Sequence, residues 1–76
     1  MIREKLANYA HHAWSGWMIY LFSKSTVNSD NSVTIPPGLV QRWMRQMKTD
    51  YSDLPEHEKE SDRKEADSIL EIINQC

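Results

Sequence analysis

Apolar residues recur every three or four positions along the first third of the chain. Leu6, Ala10, Ala13, Trp17 and Leu21 share one helical face. Tyr9, Trp14, Met18 and Phe22 flank that stripe. The apolar surface is therefore wide, as in the central helix of a small bundle. From Ile2 to about Lys24 there is no proline and one glycine, so the spacing predicts one uninterrupted helix. Ser23 to Ile35 then reads SKSTVNSDNSVTI. Such Ser, Asn and Asp side chains hydrogen-bond to nearby backbone and favour turns. Val27, Val33, Thr34 and Ile35 would close a short hairpin around Asn28–Asn31, or the segment is a mobile loop.

Pro36–Pro37 suits a helix start, because the first turn has no use for the N–H that proline lacks. Leu39, Val40, Trp43, Met44 and Met47 mark the apolar side of a second helix, with Arg42, Arg45 and Lys48 on its other side. It should end near Thr49. Asp50–Asp53 forms a link. Asp53 followed by Glu56 fits a capping box, with Pro55 in the first turn of a third helix reaching from about Leu54 to Asn74. The fold expected is all-α: a compact three-helix single domain over residues 1–76, with a Ser/Asn-rich loop between helices one and two.

The third helix holds an anomaly. Ala66, Ile69, Leu70 and Ile73 form an apolar face, yet extending it toward the N-terminus lands on Asp62, Lys59, Glu58 and Pro55. In one reading the run EKESDRKEAD is solvated and braced by pairs such as Glu60 with Lys64. In the other, part of it turns inward and pairs with Arg42, Arg45 or a histidine of helix one. A desolvated charge needs such a partner. Charges converging beside indole rings would suit a polar, aromatic ligand.

At 76 residues the chain is near the lower size limit for a self-sufficient core, so self-association is an expectation from length alone. Nine basic against 11 acidic residues argue against a protein that tracks nucleic-acid phosphates. Arg42, Arg45 and Lys48 on a DNA-reading helix are thus the weakest reading. The one cysteine, Cys76, permits no internal disulfide and suits a reducing, cytoplasmic setting. No signal peptide is visible, and the apolar stretch Trp17–Phe22 is too short to cross a bilayer.

Little in the chain points to catalysis. Adjacent His11 and His12 diverge by about 100° on a helix, which is wrong for one metal. Gly16 and Gly38 are the only glycines, so there is no phosphate-cradling loop, and no cofactor is implied. Glu58 and Asp62 share a face at i, i+4, a spacing too common to indicate acid–base chemistry. The aromatic residues say more. Trp14, Trp17 and Tyr20 follow one another on helix one, Trp43 stands between Arg42 and Arg45, and Tyr51 would sit at a rim. They are either core, or a cleft in which a base stacks while arginine supplies charge.

The pattern His11-x-x-Trp14, followed downstream by Tyr51-x-x-Leu54-Pro-Glu-x-Glu58-Lys59-Glu-x-Asp62-Arg63, resembles the ryanodine-receptor (RyR) repeat domain. It is similar to the short single-domain versions carried by bacteriophages and prophages, over most of residues 6–73. The family's Gly-Trp-x-Tyr-Gly turn is shifted here to Gly16-Trp17-Met18-Ile19-Tyr20. The resemblance implies a compact helical unit that recognises a nucleotide or nucleotide-derived signal. A free-standing phage copy would sequester a host defence signal in the bacterial cytoplasm. The candidate ligand-binding residues are His11, Trp14, Trp17, Tyr20, Arg42, Trp43, Arg45, Tyr51, Lys59 and Arg63. The alternative is a protein–protein module, acting on a host protein or by self-association.

Overall fold

The computed structural model describes residues 1–75; Cys76 lies outside them. Helix α1 spans Ile2–Ser23. Its last carbonyls are taken up by side chains as well as backbone: Ser23 Oγ donates to Tyr20 O (2.6 Å) and Ser25 Oγ to Leu21 O (2.7 Å). These bonds satisfy acceptors that a helix end otherwise leaves open. Strands β1 (Thr26–Val27) and β2 (Val33–Thr34) then form the hairpin, antiparallel, with Thr26 opposite Thr34 and Val27 opposite Val33. The Asn28 carbonyl accepts from Asn31 N–H (3.0 Å), and Asn31 itself has φ 70°. A turn followed by a left-handed residue is the usual three-residue hairpin loop, and Asn tolerates that backbone. Asp30 locks the loop by accepting from both the N–H (3.0 Å) and the hydroxyl (2.6 Å) of Ser32.

Helix α2 spans Pro37–Lys48, with Pro36 as its N-cap. A 3₁₀ turn at Tyr51–Asp53 leads into α3, Glu56–Asn74. The capping box expected of Asp53 and Glu56 does not form. Pro55 is the N-cap residue and no side chain caps the helix. The cause is Pro55, which disfavours helical backbone at Leu54. Leu54 is extended (ψ 149°), so α3 begins at Glu56 and Asp53 is left inside the 3₁₀ turn.

The three helices are present as expected, and α1 meets both of the others, α3 through Tyr9 and Glu65 and α2 through Tyr20 and Trp43. The molecule measures 47 × 32 × 16 Å. Its radius of gyration is 15.6 Å, against about 11 Å for a globular chain of this length. Helix α1 packs on α3, with the Tyr9 hydroxyl donating to Glu65 across the contact. The apolar stripe expected to anchor α3 is turned outward: Ile69, Leu70 and Ile73 are exposed, while Ser68 and Ile72 are half-buried. No apolar side chain is fully buried among the described residues. Pairing within the charged run also differs, since Glu60 meets Arg63 (3.4 Å) rather than Lys64.

The left-handed backbone at Asn31 makes the hairpin sensitive to one substitution. Asn31→Val should lower stability by about 1–2 kcal/mol, because a β-branched side chain clashes there. Asn31→Gly should be neutral or slightly stabilising. Thermal unfolding followed by circular dichroism checks both.

Candidate functional site

The one buried residue of the described chain is a carboxylate, Glu58, 8% exposed. It stands in the first turn of α3, where free N–H groups favour negative charge. Arg45, from the last turn of α2, reaches it with two bonds: Nη2 to Oε2 at 2.6 Å and Nη1 to Oε1 at 3.3 Å. This two-pronged geometry is what a guanidinium offers a carboxylate. The hydrogen bond from Arg45 holds the Glu58 carboxyl below the usual carboxylate range, and burial opposes it. The same bond pushes the Arg45 guanidinium upward.

The pair ties the end of α2 to the start of α3, and a cleft of about 900 Å³ opens beside it. That volume falls in the range of small-molecule sites, about 300–1,000 Å³. From α1 come Tyr9, His12, Ala13, Gly16, Trp17 and Tyr20, spaced so that one helical face looks into the cleft. From α2 come Arg42, Trp43, Gln46 and Met47. Leu54, His57, Glu58, Ser61, Asp62 and Glu65 complete the wall. The rings run in a chain: Trp17 meets Tyr20 edge-on at 5.8 Å, and Tyr20 meets Trp43 at 6.4 Å. Trp17 remains 53% exposed, so much of its indole is open to an incoming group.

The ten sequence candidates divide by location. Trp17, Tyr20, Arg42 and Trp43 line the cleft together. Arg45 stands beside it, engaged with Glu58. His11 and Trp14 are on the opposite side of α1, stacked on each other at 6.0 Å. Tyr51, Lys59 and Arg63 form a separate cluster. The Lys59 ammonium lies 5.6 Å from the centre of the Tyr51 ring and 3.8 Å from Glu56, and Arg63 binds Glu56 (3.0 Å) and Glu60. Arg63 holds the Glu56 carboxyl below its ordinary value.

The charged run of α3 is therefore split by helical geometry. Glu58, Ser61, Asp62 and Glu65 face the cleft, while Lys59, Glu60 and Arg63 face elsewhere. Sequence reasoning missed Tyr9, His12, Gln46, His57, Ser61 and Glu65. The i, i+3, i+4, i+7 series Glu58–Ser61–Asp62–Glu65 was the available signal. It was obscured because the apolar stripe of α3 pointed to a different face. Among the described residues, no three His, Cys, Asp or Glu side chains gather as a metal site would require. No helix of the described chain is long and apolar enough to cross a membrane.

The depressed Glu58 carboxyl makes stability depend on pH. Folded Glu58 holds a proton less tightly than the unfolded side chain, whose ordinary pKa is about 4.3. Its stabilisation is thus fully present above about pH 5 and is lost as pH falls through the lower folded value. Glu56 acts in the same direction, but its exposure weakens the contribution. The expected unfolding midpoint is flat from neutral pH to about pH 5 and falls below it. In Glu58→Gln the neutral-pH midpoint should already be lower and the acid slope shallower. An unchanged slope in that variant would remove the role assigned to the pair.

No family model matches the chain, and neither a curated protein nor a solved structure matches it.

Proposed function

We propose that this protein is a non-catalytic binder that holds the flat, aromatic part of a nucleotide-derived molecule in the cleft between its three helices. The observation that carries this reading is the aromatic chain Trp17–Tyr20–Trp43 bordering the same opening as Arg42 and Asp62. A nucleobase stacks on such rings whatever its sequence identity, at about 1–3 kcal/mol per base. Asp62 and Glu65 can accept from the amino and ring N–H groups of a base, and Arg42 can receive one anionic group.

The charge of the wall narrows the ligand. Of the four cations expected to neutralise phosphate, Arg45, Lys59 and Arg63 are already engaged by carboxylates. Arg42 is the guanidinium that lines the cleft, and the same wall carries Glu58, Asp62 and Glu65. The cleft therefore favours a nucleoside-like molecule with one phosphate over a triphosphate, whose charges would crowd these carboxylates. Of the RyR-like pattern, Leu54, Glu58 and Asp62 line the cleft, and the resemblance implies the same class of ligand. A phage-borne, cytoplasmic protein of this kind would act by sequestering a defence signal, without turnover.

Isothermal titration against nucleosides, nucleoside monophosphates, cyclic nucleotides and triphosphates tests the proposal. The expected order places monophosphates or cyclic nucleotides above triphosphates. Trp43→Ala should weaken binding roughly five- to hundredfold, as loss of one stacking partner implies. Arg42→Ala should weaken a monophosphate and leave the parent nucleoside unchanged. The absence of heat with every compound at millimolar concentration would overturn the reading.

A further inference from the structure

The charged side chains in the wall of the cleft are not equally available to a ligand. Glu58 gives both carboxylate oxygens to Arg45, Oε2 at 2.6 Å and Oε1 at 3.3 Å. Glu65 accepts from the Tyr9 hydroxyl through one oxygen. Asp62 stands between them, four residues after Glu58 and three before Glu65, on the same face of α3. Among the described residues its carboxylate takes part in no side-chain hydrogen bond or ion pair, and neither does the Arg42 guanidinium. Beside the ring chain Trp17–Tyr20–Trp43 the cleft therefore offers one uncommitted carboxylate and one uncommitted guanidinium.

A carboxylate with both oxygens free makes a definite demand. Ionised, it accepts and cannot donate, and two parallel N–H bonds satisfy it best. The nucleobases differ in what they set against it. Guanine carries two N–H donors side by side, on its ring N1 and on its 2-amino group. Adenine and cytosine place a ring-nitrogen lone pair next to their amino group, and uracil flanks its one N–H with carbonyls. Each of these turns an acceptor toward the second carboxylate oxygen and leaves it unbonded, which is costly. Hypoxanthine, which is guanine without the 2-amino group, keeps one donor of the two.

We infer that Asp62 sets the base specificity of the cleft and that the base it selects is guanine, held through its ring N–H and 2-amino group while Arg42 receives the phosphate. This rests on the nucleotide-binding reading of the cleft and narrows it to guanine nucleotides with one phosphate. The stacking rings cannot make the choice, since every base has a π-face. Glu58 cannot make it either, because both its oxygens are occupied, and Glu65 has one oxygen bonded to Tyr9. Asp62 alone among the carboxylates of the wall offers the free pair.

Titration of the whole chain with the monophosphates of guanosine, inosine, adenosine, cytidine and uridine gives the first readout. The guanosine compound should bind roughly 5- to 150-fold more tightly than those of adenosine, cytidine and uridine, as one two-bond base contact implies, with inosine between. Asp62→Asn turns one acceptor into a donor and so presents the pair that matches adenine. That variant should weaken guanosine monophosphate by a similar factor, leave adenosine monophosphate no weaker, and erase the preference. Its thermal midpoint should equal that of the parent chain, because the Asp62 side chain bonds to no other residue described. Equal affinity for all five compounds, or a guanine preference that survives in Asp62→Asn, would overturn the inference and leave the binding reading standing. Binding of none of them would end both.

Discussion

The Arg45–Glu58 pair is the interaction on which the arrangement of the helices depends. It joins the end of α2 to the start of α3 through two hydrogen bonds and surrounds the one buried side chain of the described residues. A carboxylate taken out of water is costly unless an opposite charge meets it in good geometry, so α2 is held where Arg45 can reach. That placement swings Trp43 toward Tyr20 and leaves the cleft between them. A hydrophobic contact could slide by a residue; a bidentate pair cannot without stranding the charge. Specific geometry here comes from a polar contact, because apolar packing is too sparse to supply it.

The helices were legible in the sequence because their boundaries are written in local chemistry. Pro36–Pro37 opens α2, and the Ser/Asn/Asp segment forms the hairpin around Asn28–Asn31. The start of α3 was misplaced by a competition between two local rules. Asp53 offered a cap, but Pro55 denied helical backbone to Leu54 and won. The rotation of α3 was not legible at all. Periodicity names the apolar face Ala66–Ile69–Leu70–Ile73, yet α1 receives the neighbouring face with Glu65, Ser68 and Ile72. An ion pair and a tyrosine–carboxylate bond decided between two faces that hydrophobicity alone would have ranked the other way.

The same limit governs the site. That aromatics and charges would converge could be read from composition, and Trp17, Tyr20, Arg42 and Trp43 do share a cleft. Which charges would join them depends on helical phase, to within one residue. Lys59 and Glu58 are neighbours in sequence and face different surroundings in space. On α1 the consequence is a division of labour by side. Trp17 and Tyr20 look into the cleft, whereas Trp14 is exposed on the other side of the helix.

The three indole N–H groups give the most direct test of that division. In a ¹H–¹⁵N spectrum each tryptophan contributes one well-separated resonance, assigned by single Trp→Phe variants. The expected result is that a saturating nucleoside monophosphate moves the Trp17 and Trp43 signals and leaves Trp14 in place. A ligand-induced shift confined to Trp14, with Trp17 and Trp43 unmoved, would contradict the account.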